Sequence, residues 1–365
     1  MAKIAIVGAG RVGTAAAKIL LTLTDHEIVF IDISEEALAA AFEACVKLPR
    51  ASVRVAMSPD VPVTLYRAEG VDELRATFAS LDTNVVLCTT PFNINVDVAT
   101  LCAELEMHYV DFTEDNTVTE TINRLDIGNG LTFIPQTGLA PGLVNYIGLS
   151  LFESLGEPHL LELRVGALPQ VSFGPAHYAV TWSVEGLINE YIHPALRLEN
   201  GELQCADPLT DLQSVIVNGV QYECFNTAGG VGMLSAYAKV PNVQYKTLRF
   251  PGHLAFLKKF LGTLTFEDAV AKAKESFVTT RDDVVVLAAQ AVDVNGKSAS
   301  AGLHFYPCED LDLTALELTT AGIGVAVVEL LLDGKLQSGI LNASQIPFDD
   351  LMQTHAARFV FDYMN

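Results

Sequence analysis

Short, near-continuous apolar runs alternate with longer amphipathic ones from the first residues of the chain, which is the rhythm of strands alternating with helices. KIAIV (Lys3 to Val7) is followed by a glycine-rich turn and by an alanine- and leucine-rich helix over Thr14 to Leu23. EIVFID (Glu27 to Asp32) reads as a second buried strand, and Ser34 is placed to cap a helix through SEEALAAAFEACVKL. PVTLY, a helix at Val71 to Leu81, NVVLCTT (Asn84 to Thr90), a helix at Asn95 to Leu105 and HYVDF (His108 to Phe112) continue the series. Strands this uniformly apolar belong to a parallel sheet covered on both faces.

After LTFIPQTG (Leu131 to Gly138) and a helix from Pro141 to Leu155, the pattern shifts to alternating strands joined by tight turns. Asn200-Gly201, Asn218-Gly219 and Asn295-Gly296 each lie between strand-like runs, the strongest short hairpin signal. This predicts an antiparallel α+β region. Thr314 to Leu332 then reads as a helix that is apolar nearly all round, and Pro347 to Met364 as another. No strands remain there to build a third core, so both helices are expected to return to the first domain.

Composition narrows the function. The 365 residues suit two domains, and a chain that is 50% apolar and 18% charged folds rather than staying disordered. Twenty-two lysines and arginines against 44 acids give a net charge of −22, which repels phosphate backbones and excludes nucleic acid as a partner. No uninterrupted apolar stretch reaches spanning length: Ala321 to Leu332 is too short and contains Glu329, so no membrane partner is expected. The six cysteines have neither disulfide-framework nor metal-ligand spacing, so neither disulfides nor a metal site is expected. Gly8, Gly10, Arg11 and Gly13 interrupt what would otherwise resemble a signal peptide, and a cytoplasmic address is expected.

Gly8-Ala9-Gly10-Arg11-Val12-Gly13 matches G-x-G-x-x-G between a strand and a helix. Gly8 permits the tight turn, Gly10 lets a pyrophosphate approach the backbone, and Gly13 lets helix and strand pack closely. Asp32 ends the second strand, where a carboxylate binds the adenosine ribose hydroxyls and repels a 2′-phosphate. No arginine follows it within ten residues, so NAD is favoured over NADP. Together these features predict an α/β fold: a doubly wound parallel (Rossmann) sheet completed by C-terminal helices, with an inserted antiparallel α+β domain. The dinucleotide-binding domain is expected over 1–118 and 318–365, and the substrate domain over 119–317. Gly8, Gly10, Arg11, Val12, Gly13 and Asp32 are the expected cofactor contacts, joined by Thr89, Thr90 and Pro91 after the fourth strand and by Gly138 and Leu139 near the nicotinamide. VDFTEDN (Val110 to Asn116) ends the fifth strand with Asp111, Glu114 and Asp115, which suits either a cofactor role or helix capping by Thr113 or Asp115.

On the substrate side, TGLAPGLVN (Thr137 to Asn145) offers Asn145 and a helix N-terminus suited to an anion or carboxamide. HYAVTWSVEGLINEY (His177 to Tyr191) holds Tyr178 and the single tryptophan, Trp182, then Ser183 as an N-cap with Glu185 in the first turn. LRFPGH (Leu248 to His253) ends a strand with Arg249, whose fork suits a carboxylate, and opens a helix near His253.

GAGRVG, Asp32, TGLAPGLVN, TWSVEGLINEY, NTAGG (Asn226 to Gly230), YKTLRFPGH and RDDVVVL, taken in order, resemble the saccharopine dehydrogenase-like family, with a layout closest to that of lysine 6-dehydrogenases. VDFTEDN is closer to the saccharopine-type members. The resemblance runs from Lys3 to about Leu287 and more weakly beyond. It implies a split dinucleotide-binding domain, a central substrate domain that also forms a dimer surface (hence a homodimer or higher homo-oligomer), and an α-amino acid or its amine adduct as substrate. The reading is an NAD-dependent amino-acid dehydrogenase with lysine as leading substrate. The ammonium must lose a proton before its carbon gives up a hydride, so a base is needed, and Glu185, Asp111 and His253 are the candidates. Arg249 would hold the α-carboxylate while Trp182 and Tyr178 shape the slot for the side chain. The alternatives are a saccharopine-type reductase joining an amino acid and a keto acid, which needs a second carboxylate site among Arg164, Arg197, Lys239 and Lys246, and a non-catalytic NAD-binding sensor.

Overall fold

The structure is a computed structural model that describes residues 1–48 and 62–365. These divide into two compact units: Met1–Leu143 with Glu309–Leu313 and Glu317–Asp362, and Val144–Cys308 with Thr314–Leu316 and Tyr363–Asn365.

The first unit begins with β1 (Lys3–Val7), α1 (Arg11–Leu23), β2 (Glu27–Asp32), α2 (Glu35–Val46), β3 (Val63–Arg67) and α3 (Gly70–Ser80). It continues through β4 (Val85–Cys88), α4 (Phe92–Glu104), β5 (His108–Asp111), α5 (Asn116–Ile122) and β6 (Thr132–Ile134). The chain then builds the second unit from α6 (Leu143–Glu153), β7 (Pro158–Pro169), α7 (Val184–Ile192), β8 (Ala195–Glu199), β9 (Glu202–Ala206), β10 (Gln213–Val217) and β11 (Val220–Asn226). To these it adds β12 (Asn242–Arg249), α8 (His253–Leu261), α9 (Phe266–Ser276), β13 (Asp283–Asp293) and β14 (Ser298–Phe305). It ends with α10 (Ala315–Leu332), β15 (Gly339–Ile340), α11 (Phe348–Leu351) and α12 (His355–Phe361).

Among the described residues, the first sheet has seven strands in the order β15-β6-β5-β4-β1-β2-β3, with every pairing parallel. Its core joins Val7, Val29, Ile31, Val86, Tyr109 and Phe133 to apolar side chains of α3 and α4. Residues 119–143, expected in the substrate domain, supply β6 to this sheet, because Phe133 and Ile134 pair with Tyr109 and Val110. The apolar segment after residue 317 also belongs to this unit. By length and composition α10 would suffice to cross a membrane, yet Leu318, Ile323, Val327 and Leu330 are fully buried, worth about 1.5–3 kcal/mol each. The expected single helix over Pro347 to Met364 is two short ones. Thr354 starts a fresh helix by accepting from Ala357 N, and the buried carboxylate of Glu329 accepts from His355 N and Ala356 N at the same end.

Among the described residues, the second unit has an eight-stranded sheet, β10-β11-β12-β7-β13-β14, with β8 and β9 branching from β12. Each Asn-Gly pair joins two antiparallel neighbours: β8 to β9, β10 to β11 and β13 to β14. In the first two turns both residues have positive φ (Asn200 52°, Gly201 80°; Asn218 47°, Gly219 82°), as a two-residue hairpin with the native twist requires. The sheet is mixed rather than wholly antiparallel, since β12 runs parallel to β7. Hairpin signals report only local pairs, and this pair is separated by the α7–β11 excursion. Asp283, at the start of β13, caps α10 by accepting from Ala315 N (2.7 Å) and Leu316 N (3.0 Å).

Candidate functional site

The first unit carries a phosphate cradle. Gly8 has φ +104°, and a Cβ there would meet Thr89 Oγ1 at 2.7 Å. A Cβ on Gly13 would overlap the carbonyl oxygen of Gly8, whereas one on Gly10 would meet nothing within 4 Å. Gly10 therefore faces open space at the N-terminus of α1, where no side chain caps the helix: a place for an anion held by backbone N–H groups. Thr89 shapes the cradle from beneath, its hydroxyl donating to Gly8 O (2.8 Å). Arg11 projects beside it, ion-paired with Glu317. At the end of β2, Asp32 accepts from Ala9 N (2.7 Å) through one oxygen and from Ser34 N (2.8 Å) through the other. Asp32 is thus rigidly aimed beside the cradle, and the whole arrangement fits a dinucleotide. Sequence spacing missed Arg67, because the arginine comes from the neighbouring strand: β2 and β3 pair Asp32 with Arg67. Its guanidinium is held by Glu69 and approaches Glu35 at 3.9 Å.

The second unit holds a buried charged cluster where β12 ends. Arg249 is 2% exposed, between the rings of Tyr178 (5.0 Å) and Tyr191 (5.5 Å). It donates from Nε to Tyr191 Oη (2.8 Å), from Nη1 to Leu248 O (2.8 Å) and from Nη2 to Glu190 Oε2 (3.3 Å). Since Tyr191 Oη accepts from Arg249, its own proton goes to His253 Nε2 (3.0 Å), and His253 Nδ1–H donates to Ala176 O (2.7 Å). His253 is therefore a neutral imidazole with both nitrogens engaged. Burial, reinforced by the Arg249 charge, takes its pKa down to about 3. Burial pushes the Glu190 carboxyl up to about 7, with Arg249 opposing the shift. Tyr178 Oη and Trp182 Nε1, also in this region, are buried without a hydrogen-bond partner among the described residues.

A family profile described as saccharopine dehydrogenase NADP binding domain matches residues 4–126, and one described as saccharopine dehydrogenase C-terminal domain matches residues 138–356. The chain belongs to the saccharopine dehydrogenase family. It is thus an oxidoreductase acting on amino acids, with a nicotinamide-dinucleotide-binding domain. Its fold is similar to that of saccharopine dehydrogenase (L-Glu forming) from Saccharomyces cerevisiae, with a TM-score of 0.75 at 13% identity over 98% of each chain. A putative myo-inositol dehydrogenase from Sinorhizobium meliloti 1021 aligns at a TM-score of 0.48 and 10% identity, over 99% of this chain and 95% of that one.

Within this family member, several residues singled out from sequence take other places. Asp111 is fully buried and pinned by Thr113 N (2.9 Å), Gln136 N (2.9 Å), Tyr109 Oη (2.7 Å) and Asn95 Nδ2 (3.3 Å). It ties the end of β5 to the segment after β6 and has no open side for a substrate. Asp115 is the N-cap of α5, the capping reading of VDFTEDN. Thr90 bonds Asn95 (3.0 Å), and Pro91 precedes α4 as its N-cap. Gly138 and Leu139 are buried in a tight loop closed by Leu143 N donating to Gly138 O (2.9 Å). Asn145 is 1% exposed and holds the 230–231 loop through Gly230 O (3.1 Å), Val231 O (2.9 Å) and Tyr237. Glu185 is exposed, ion-paired with Lys274 and held below the usual carboxylate range chiefly by that partner, so it stands outside the Arg249 cluster. The residue that joins Arg249 is Glu190, five positions further along the same helix.

Proposed function

We propose that the protein is an NAD-dependent amino-acid dehydrogenase that acts at a carbon bearing an amine, with lysine as the leading substrate. The observation that carries the cofactor reading is the charge around the ribose end of the cradle. A 2′-phosphate there would face Asp32, Glu35 and Glu69 against one guanidinium, Arg67, already paired with Glu69. NAD presents only hydroxyls at that point, and these suit a carboxylate acceptor. When bound, the nicotinamide supplies the acceptor for a hydride. The protein's own groups hold the dinucleotide through Gly8, Gly10, Gly13 and Asp32, and the amino acid through the second unit.

Lysine rests on the sequence layout. Against the reductase alternative stands the state of the basic residues it needs: Arg164 is ion-paired with Glu162, Arg197 with Glu199 and Lys246 with Asp211, while Lys239 lies on an exposed stretch. At three of these four positions a second carboxylate would have to share a cation already paired with a carboxylate of the protein.

The test is nicotinamide reduction with a panel of amino acids, alongside titration of both cofactors. NAD is expected to bind more tightly than NADP. Asp32→Ala is expected to weaken NAD by roughly 10- to 100-fold, the worth of a hydrogen bond to a charged acceptor. Equal affinities for NAD and NADP in the parent protein would refute the cofactor assignment.

A further inference from the structure

We propose that Glu190 takes the proton from the ammonium nitrogen of the substrate, held for that task by Arg249, Tyr191 and His253. This assignment rests on the amino-acid dehydrogenase reading above. In the step, the N–H bond of the substrate ammonium breaks and an O–H bond forms on Glu190, giving a neutral amine and a neutral carboxylic acid. The freed nitrogen lone pair can then form the C=N bond as the carbon gives up its hydride to the nicotinamide of the bound dinucleotide.

Four observations converge on Glu190. Arg249 has its Nη2 on Glu190, its Nη1 on Leu248 O and its Nε on Tyr191, so the guanidinium is fixed in orientation. Tyr191 is in turn fixed by His253, and His253 by Ala176 O, so no member of the chain can swing independently. Within this buried set Glu190 alone is partly open, with its side chain 15% exposed against 2% for Arg249. Its Oε2 is committed to Arg249, while Oε1 has no hydrogen-bond donor among the described residues. An ammonium group seeks such a lone pair beside a low-dielectric wall.

The surroundings also set its basicity. The charged and titratable groups facing it are Arg249 from β12, Tyr178 from the segment before α7 and Tyr191 beside it on the helix, with His253 of α8 one hydrogen bond further. From α9, Lys274 faces Glu185 instead. Burial and the guanidinium pull in opposite directions and leave the carboxyl near 7, where a base is half ionised at neutral pH and most effective.

The experiment combines a pH profile with a measurement that needs no turnover. Glu190→Gln is expected to bind NAD as the parent does, to lose ~10²–10⁴-fold in kcat/KM at pH 7, and to lose the acidic limb of its pH profile near 7. Glu190→Asp, which keeps the charge on a shorter arm, should regain the limb with part of the rate. Separately, calorimetry of L-lysine binding in buffers of different ionisation enthalpy should show the parent releasing about half a proton at pH 7, as the ammonium ionises the carboxyl, and Glu190→Gln releasing none. If the parent turns over and the glutamine variant keeps its rate, its limb or its proton release, the assignment of Glu190 falls while the functional reading stands. If no amino acid is oxidised but the parent alone releases the proton, the functional reading falls and Glu190 remains the amine's partner. Absence of both turnover and lysine binding would overturn the two together.

Discussion

Replacing His253 with asparagine tests the wiring of the buried cluster through stability. The ring is neutral in the fold, its pKa taken from 6.5 to about 3 by burial and by Arg249. Below pH 6.5 the unfolded chain takes up a proton that the folded chain refuses, so stability falls as the pH falls toward 3. At about 1.36 kcal/mol per pH unit, this group removes about 2 kcal/mol between pH 7 and pH 5. Glu190 works in the opposite sense. Its carboxyl has moved from 4.5 up to about 7, so the folded chain holds a proton that the unfolded one has released, and stability falls as the pH rises through that window. That too amounts to about 2 kcal/mol between pH 5 and pH 7, and in the parent protein the two contributions nearly cancel. Removing either one exposes the other. His253→Asn should gain about 2 kcal/mol relative to the parent on going from pH 7 to pH 5, and Glu190→Gln should lose about as much. Both substitutions also lower stability at every pH by breaking hydrogen bonds, so the slope is the readout and not the offset. Urea unfolding followed by Trp182 fluorescence reports the correct unit, since the chain has one tryptophan and it lies there. Curves for both variants that run parallel to the parent within about 0.5 kcal/mol would refute the opposed-titration picture.

Asp111→Ala should destabilise the first unit by about 3–5 kcal/mol, because it strips acceptors from two backbone N–H groups, a tyrosine hydroxyl and an asparagine amide, all buried. Thermal unfolding measures this, and a variant as stable as the parent but inactive would return Asp111 to the chemistry. Glu185→Ala should leave kcat/KM within about threefold, since it removes only an exposed ion pair with Lys274. A steady-state loss of about 100-fold in a well-folded variant would reinstate Glu185 as the base.

The elements were legible wherever a local rule decides them. The glycine turn, the Ser34, Asp115 and Ser183 caps and the three Asn-Gly hairpins each depend on residues within a few positions of one another. What escaped depends on pairing across the chain. The parallel register of β12 on β7 joins segments about 80 residues apart. Arg67 reaches the end of Asp32 through strand register, although it lies 35 positions downstream. The break between α11 and α12 is fixed partly by Glu329, which arrives from α10.

The placement of the acid in the candidate site illustrates how a local rule can mislead. Glu185 was one of three candidate bases, yet an acid in a first helical turn also serves the helix dipole, and that property puts it at the helix end in water. At about 100° per residue, Glu190 lies about 140° around α7 from Glu185, toward the side that buries Leu187, Ile188 and Tyr191. Its placement is dictated by Arg249. A guanidinium 2% exposed requires an anion and acceptors within reach, and Leu248 O and Tyr191 supply only neutral oxygens. In its ionised form Glu190 completes the neutralisation, and the position that makes it a counter-charge also makes it a base. Desolvation raises its proton affinity, the guanidinium lowers it, and the balance falls near neutral pH. Arg249, expected to hold the substrate's carboxylate, already holds one supplied by the protein. Its two remaining N–H groups are all it can offer a ligand, so its stronger influence on the chemistry runs through the carboxylate that it orients.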